Sequence, residues 1–314
     1  MNAIADVRFL SQAQPQFDQL KTRFEAEYGV YWATMAPRPR PCFNPQLLLE
    51  LRAFIDNIID TGGRIRHDGA EHTINYAVLA SQAQGAFNLG GDLALFRSAI
   101  LNRDREQLTR YAKMCVDDLY PWNRNFDLPI TTISLVQGNA LGGGFEAALA
   151  STVVIAEDSA RMGFPEVLFN LFPGMGAYSF LQRKVGRRIT EELITSGNTY
   201  TAKQLYDMGV VDVVTPDGTG EAAVYGYVRK HFKAGNGRRA FERVRRDFEA
   251  DTRDELEHVT AIWVDAAMKL TERDLKMMDR LVRAQGKHEA SEGHVAVAEA
   301  PAPRELKLAV GGND

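Results

Sequence analysis

The most restrictive stretch of the chain is Ile130-Thr-Thr-Ile-Ser-Leu-Val136, followed by Gly138-Asn-Ala-Leu-Gly-Gly-Gly144 and then Phe145-Glu-Ala-Ala-Leu-Ala150. The first run is rich in β-branched residues, as a buried strand requires. The glycines impose a tight turn, and the Ala/Leu-rich run after them favours helix. A strand, a glycine turn and a helix in that order need a sheet with helices laid against it.

The same order recurs. Ile74-Asn-Tyr-Ala-Val-Leu-Ala80 reads as a buried strand and leads to Gly85-Ala-Phe-Asn-Leu-Gly-Gly-Asp92, a glycine-bearing loop, with a long helix expected over 92–120. Val153-Val-Ile-Ala156 reads as a short strand and Gly209-Val-Val-Asp-Val-Val-Thr-Pro216 as a last one. Upstream, Tyr28-Gly-Val-Tyr-Trp-Ala-Thr-Met35 has strand composition, and the alternating prolines Pro37, Pro39 and Pro41 force a loop. Asn44-Pro45 is a helix start, and Leu47, Leu48, Leu51, Phe54, Ile55 and Ile58 form one apolar stripe behind it. Residues 221–287 read as helical, with a break near Thr271, where Asp274 completes a box-like cap. The expected organisation is an N-terminal arm over 1–27, an α/β core over 28–220, a helical region over 221–287 and a disordered tail over 288–314.

Composition narrows the function classes. With 314 residues, 45% hydrophobic and 25% charged, the chain buries a core without staples. A net charge of −4 supplies no global field for nucleic acid or an anionic membrane. Two distant cysteines, Cys42 and Cys115, suggest a reducing compartment, and neither a secretory leader nor a spanning run is visible. The expectation is a cytoplasmic protein without membrane insertion.

Several chemistries lack their motifs. No dinucleotide fingerprint, Walker lysine, Gly-x-Ser-x-Gly elbow or His-Glu-x-x-His is present, and His288 and His294 read as solvated tail residues. No metal ligand set is expected. The glycine loops can instead expose backbone N–H groups. Gly143 stands where a strand gives way to a helix, among donors without intrahelical partners, and a second donor from Gly90-Gly91 would complete an oxyanion hole. Glu146 and Glu166 each sit in an apolar run, where a carboxyl holds its proton towards neutrality and suits proton transfer at adjacent carbons. Taken singly, each glycine loop is equally an ordinary turn and each glutamate an ordinary helix-start or surface residue.

Taken together, the segments resemble the crotonase (enoyl-CoA hydratase) superfamily. The resemblance rests on Ala86-Phe-Asn-Leu-Gly-Gly-Asp92, Val136-Gln-Gly-Asn-Ala-Leu-Gly-Gly-Gly-Phe-Glu146, Met162-Gly-Phe-Pro-Glu166, Phe172-Pro-Gly-Met-Gly176 and Met208-Gly-Val-Val-Asp212, in register over roughly 28–285. Asp207 departs from the small residue many relatives carry. Ile262-Trp-Val-Asp265 and Met278-Asp-Arg-Leu-Val-Arg-Ala-Gln285 further resemble the diffusible-signal-factor synthase branch, as do Phe87 to Phe96 and Pro165 to Phe169.

The resemblance implies a spiral of ββα units with a helical C-terminal region, assembled as a trimer-based homo-oligomer. It places the oxyanion amides on Gly91 and Gly143, the acid/base pair on Glu146 and Glu166, and the acyl pocket on Leu141, Gly142, Met175, Trp263 and Leu281. Trp263 also falls on the stripe Leu256, Val259, Trp263, Ala266, Leu270, so core packing and pocket lining are both compatible with its position.

The implied reaction is dehydration of a 3-hydroxyacyl thioester of acyl carrier protein to a cis-2-enoyl thioester, then hydrolysis to a free unsaturated acid that serves as a signal. No cofactor is implied beyond the carrier protein or CoA thioester itself. An ordinary 2-enoyl-CoA hydratase, or a module that binds a signalling sensor protein, remains an alternative. Basic clusters at Arg183-Lys184, Arg187-Arg188 and Arg238, Arg239, Arg243, Arg245, Arg246 offer docking for an acidic carrier or a CoA phosphate, or are simply solvated faces. Gln84-Gly-Ala stands ahead of Phe87 where many CoA-using relatives carry a basic residue.

Overall fold

The structure is a computed structural model that describes residues 16–233, 235–248 and 253–287. The expected disordered tail, and the first fifteen residues of the expected arm, lie outside the described residues. The remainder of that arm is part of the sheet: β1 (Leu20–Glu25) pairs antiparallel with β2 (Val30–Met35), Leu20 opposite Met35. Leu20 and Phe24 are its buried pair. A spacing of four fits one face of a strand as well as one face of a helix, which is why the polar segment concealed a strand.

α1 (Pro45–Asp60) begins as expected, with the Asn44 side chain accepting from the Leu47 N–H and the whole predicted stripe buried. A hairpin, β3 (Arg64–His67) and β4 (Ala70–Thr73), was not anticipated. Its strands are too polar to announce themselves, but the turn does: Asp68-Gly69 has φ of 49° and 80°, the two-residue turn that suits paired strands. β5 (Tyr76–Ser81) and β6 (Ala86–Asn88) come next. The long helix expected over 92–120 is two, α2 (Leu93–Leu101) and α3 (Arg105–Asn123). The chain turns at Arg103, with φ 55°, and Asp104 starts the second helix by accepting from the Gln107 N–H.

The next elements are β7 (Thr131–Val136), β8 (Asn139–Leu141), α4 (Gly143–Leu149), β9 (Val153–Glu157) and β10 (Arg161–Gly163). A 3-10 turn over Pro165–Phe169 leads to α5 (Ala177–Thr195). Then come β11 (Thr199–Thr201), α6 (Ala202–Asp207) and β12 (Val213–Thr215). The C-terminal region is helical as expected: α7 (Gly220–Phe232), α8 (Gly235–Phe248), α9 (Arg253–Ala267) and α10 (Glu272–Lys287). The break falls near Thr271, whose N–H and hydroxyl both donate to the Asp274 carboxylate.

Two sheets result. The larger runs β1-β2-β5-β7-β9-β12, parallel from β2 onward; the smaller runs β11-β10-β8-β6, with only β10 and β11 antiparallel. Thus β5-β6-α2, β7-β8-α4 and β9-β10-α5 are successive ββα turns of one spiral, each placing a strand in the large sheet, a short strand in the small one and a helix beyond. The large sheet is buried on both faces. Ile133, Leu135, Val153 and Ile155 face outward under Val224 and Val228 of α7, while Val154 and Ala156 face the main core. Such strands carry continuous apolar runs, which made them legible. Among the described residues no helix is long and apolar enough to cross a membrane.

Candidate active site

The two glycine turns read from the sequence meet, because β6 and β8 are neighbours in the small sheet. Asn88 holds the first turn by accepting the Gly90 N–H at 2.8 Å, and the Gly90 carbonyl accepts from the Phe43 N–H at 2.8 Å. Gly90 has φ 95°, and a Cβ there would lie 2.8 Å from the Leu141 carbonyl and 3.2 Å from the Gly143 nitrogen. A Cβ on Gly143 would in turn lie 3.4 Å from the Gly91 nitrogen. The Gly91 and Gly143 amides therefore stand side by side, as an oxyanion hole requires. Asp92 anchors the far side of the first turn: it caps α2 through the Ala94 and Leu95 N–H groups and pairs with Arg40 at 2.7 Å.

Both glutamates line the cavity beside these turns. Glu146 projects from the first turn of α4 and is only 2% exposed. Its Oε1 accepts from the Met175 N–H at 2.8 Å and the Ala177 N–H at 3.0 Å. The Gly174-Met175-Gly176 turn thus serves the glutamate by orienting it. Burial pushes the Glu146 carboxyl up to about 7, against the lowering effect of those amides.

Glu166 projects from the 3-10 turn. The residue is half-buried overall, but its Oε2 is screened from solvent and has no hydrogen-bond partner among the described residues. Burial, and next the nearby charge of Glu146, push its carboxyl up to about 8. The charge of Glu146 thus couples the two carboxyls and disfavours ionising both at once.

Gly142 joins the two halves. It has φ 52°, caps α4 with its carbonyl, and a Cβ on it would fall 2.2 Å from Glu166 Oε1. Gly142→Ala is accordingly expected to displace the Glu166 carboxyl and to strain the turn by about 1–3 kcal/mol. Turnover should fall on the order of a hundredfold while the far-ultraviolet circular dichroism is kept; unchanged kcat would remove Glu166 from the chemistry.

Of the five expected pocket residues, Gly142, Met175 and Trp263 line the cavity. Trp263 reaches it from α9, edge-on to Phe96 with ring centroids 5.1 Å apart. Leu141 and Leu281 do not line it. Leu141 is spent in β8, paired with Gly163, and Leu281 packs half-buried on α10 against the main core. Sequence reasoning missed a wall: Tyr111, Cys115, Asp118, Leu119 and Trp122 of α3 line the cavity together with Leu48, Leu51 and Ile55 of α1. The spacing 111, 115, 118, 122 is one helix face, so the signal was present as an apolar stripe interrupted by an acid.

Part of the basic clusters is engaged within the chain. Arg183 pairs with Glu255, Lys184 with Asp212, Arg187 with Glu191 and Arg238 with Glu242, at 2.7–2.9 Å. They offer less free charge to a partner than the sequence suggests.

Residues 52–287 match the family model described as enoyl-CoA hydratase/isomerase. The chain also resembles solved structures. DspI of Pseudomonas aeruginosa is 21% identical with a TM-score of 0.64, over 78% of this chain and 87% of that one. An enoyl-CoA hydratase from Bacillus halodurans is 19% identical with a TM-score of 0.67, over 85% of this chain and all of that one. The human mitochondrial delta3-delta2-enoyl-CoA isomerase is 16% identical with a TM-score of 0.70, over 87% of this chain and all of that one. At these identities the likeness speaks for the fold.

Proposed function

The chain belongs to the enoyl-CoA hydratase/isomerase family, and from that premise we propose that it dehydrates 3-hydroxyacyl thioesters and then cleaves the thioester to release a cis-2-unsaturated fatty acid, a cell–cell signal. The observation that carries the reading is the coupled pair Glu146 and Glu166 in one apolar cavity beside the paired amides of Gly91 and Gly143.

In this mechanism the thioester carbonyl accepts hydrogen bonds from the Gly91 and Gly143 N–H groups. They stabilise the enolate formed as the C2 proton leaves, each donor contributing about 3 kcal/mol. One carboxylate of the pair takes that proton, and the protonated partner gives its own to the departing 3-hydroxyl, which leaves as water. The pair ends with its single proton exchanged between its members. The same amides then hold the tetrahedral oxyanion while a carboxylate of the pair takes a proton from the water that attacks the thioester carbon; the intermediate collapses with cleavage of the C–S bond, and the carrier thiol leaves with that proton. Every step uses side chains and backbone of this chain, so the proposal needs no cofactor beyond the thioester carrier.

The branch-specific part draws support from Trp263, which lies in a C-terminal segment that resembles the signal synthases and stands in the cavity wall. An acyl carrier protein as donor, a trimer-based assembly, a sensor partner and a cytoplasmic setting belong to the same proposal. Incubation with 3-hydroxyacyl-carrier proteins, followed by mass spectrometry of free acids, tests it. Release of a cis-2-enoic acid is the expected result. Reversible hydration of enoyl-CoA without acid release would return the chain to ordinary hydratase chemistry.

A further inference from the structure

Asp118 is a cavity residue that the reaction leaves unused. It is 6% exposed, and among the described residues neither of its carboxyl oxygens has a hydrogen-bond partner. It lines the cavity that holds the two glutamates. A buried carboxyl without a partner costs stability, so its presence calls for a compensating role. The nearby cation does not satisfy it: the Arg52 guanidinium donates to the Asp117 carbonyl and the Asp56 carboxylate instead. Burial outweighs the pull of Arg52 and raises the Asp118 carboxyl well above the usual carboxylate range. Burial thus favours its neutral form, which offers an O–H donor as well as an acceptor.

Its position along the cavity is set by α3. Tyr111, on the same face, lies at the oxyanion end: its hydroxyl would be 3.3 Å from a Cβ on Gly91, and it donates to the Phe43 carbonyl at 2.6 Å. Trp122 lies at the other end, donating to Ser151 at 2.8 Å. With a helical rise of 1.5 Å, Asp118 is about 10 Å along the axis from Tyr111. The cavity residues contributed here by α1 and α3, Leu51, Ile55, Leu119 and Trp122, are apolar. One acid thus interrupts an otherwise apolar stretch of the wall, about two helical turns from Tyr111.

We propose that the cavity selects acyl chains carrying an oxygen function, a hydroxyl or keto group, about as far from the thioester carbonyl as Asp118 is from Tyr111, with Asp118 as the specificity-determining residue. The inference rests on the acyl-thioester reading of the site. A chain oxygen would complete the hydrogen bonding of Asp118, whereas a plain chain would seal it unsatisfied against methylenes.

The test is calorimetric binding of two pantetheine amides, of decanoic acid and of ω-hydroxydecanoic acid, which lack the 3-hydroxyl and the thioester. The full-length protein is expected to bind the hydroxylated amide roughly tenfold or more tightly. Asp118→Leu should reverse that preference, and Asp118→Asn, which keeps a donor and an acceptor and guards against misfolding of the leucine variant, should retain part of it. Equal binding of the two amides by the unaltered protein, or a preference that survives in Asp118→Leu, overturns the inference while leaving the acyl site standing. Binding of neither amide overturns the acyl-site reading and this inference together.

Discussion

Glu166→Gln and Glu146→Gln are each expected to lower kcat for thioester dehydration by about a thousandfold, within the range that positioned acid/base groups contribute. Both variants should stay folded, because the geometry separates chemistry from support. A glutamine at 146 still presents an Oε1 to the Met175 and Ala177 N–H groups, which are the bonds that orient the residue. A glutamine at 166 replaces a carboxyl whose Oε2 makes no hydrogen bond among the described residues, so no internal contact is lost there. What disappears in either case is the exchange of one proton between two carboxyls. The losses should therefore not add: the double variant should be little slower than either single one, since residues that act as a unit are individually indispensable. Kinetics of the three variants, with melting curves as the control for folding, decide the matter. A single variant with full activity would sink the acid/base assignment, and losses that multiply would show that the glutamates act separately.

How far this site was legible depends on the kind of signal each part carries. The strands of the large sheet are buried on both faces, so Ile133, Leu135, Val154 and Ile155 announce themselves as apolar runs. Gly90, Gly91, Gly142 and Gly143 are conspicuous because glycine is the residue that permits positive φ and close backbone approach, and here two such turns touch. Very short elements are different. β10 and β11, three residues each, have no period to detect, yet Gly163 of β10 accepts the Gly142 N–H at 2.9 Å and so braces the turn between the glutamates. Asp118 was hidden for another reason. Within a helix of mixed composition, an acid at a stripe position reads as surface until the structure shows it buried in the cavity wall. Leu141 and Leu281 are the opposite case: resemblance supplied their positions, and the structure places Leu141 in β8 opposite Gly163 and Leu281 on α10 against the main core, outside the cavity lining.

The pH dependence of stability is the second large effect. Glu166 has its folded value raised to about 8 from an ordinary 4.5. Between those values the folded chain binds the Glu166 proton and the unfolded chain does not, so stability falls as pH rises. The favourable contribution is fully present below about pH 4.5 and fully lost above about pH 8, and the span is worth roughly 3–5 kcal/mol. Glu166→Gln removes the ionisation. At pH 9 the variant should melt on the order of 5 °C higher than the unaltered protein, and at pH 5 the two should nearly coincide. Activity should instead pass through a maximum. A pair that works by sharing one proton is competent only between its two titrations, near 7 and near 8, so kcat/KM should fall about tenfold per unit on either side. The carboxyl that the chemistry needs is thus the one that weakens the fold at alkaline pH. Melting curves for both proteins across pH 5–9 measure the first half of that statement and a pH–rate profile the second. A variant that melts with the same pH dependence as the parent would mean that Glu166 is solvated in the folded chain and holds no proton at neutrality.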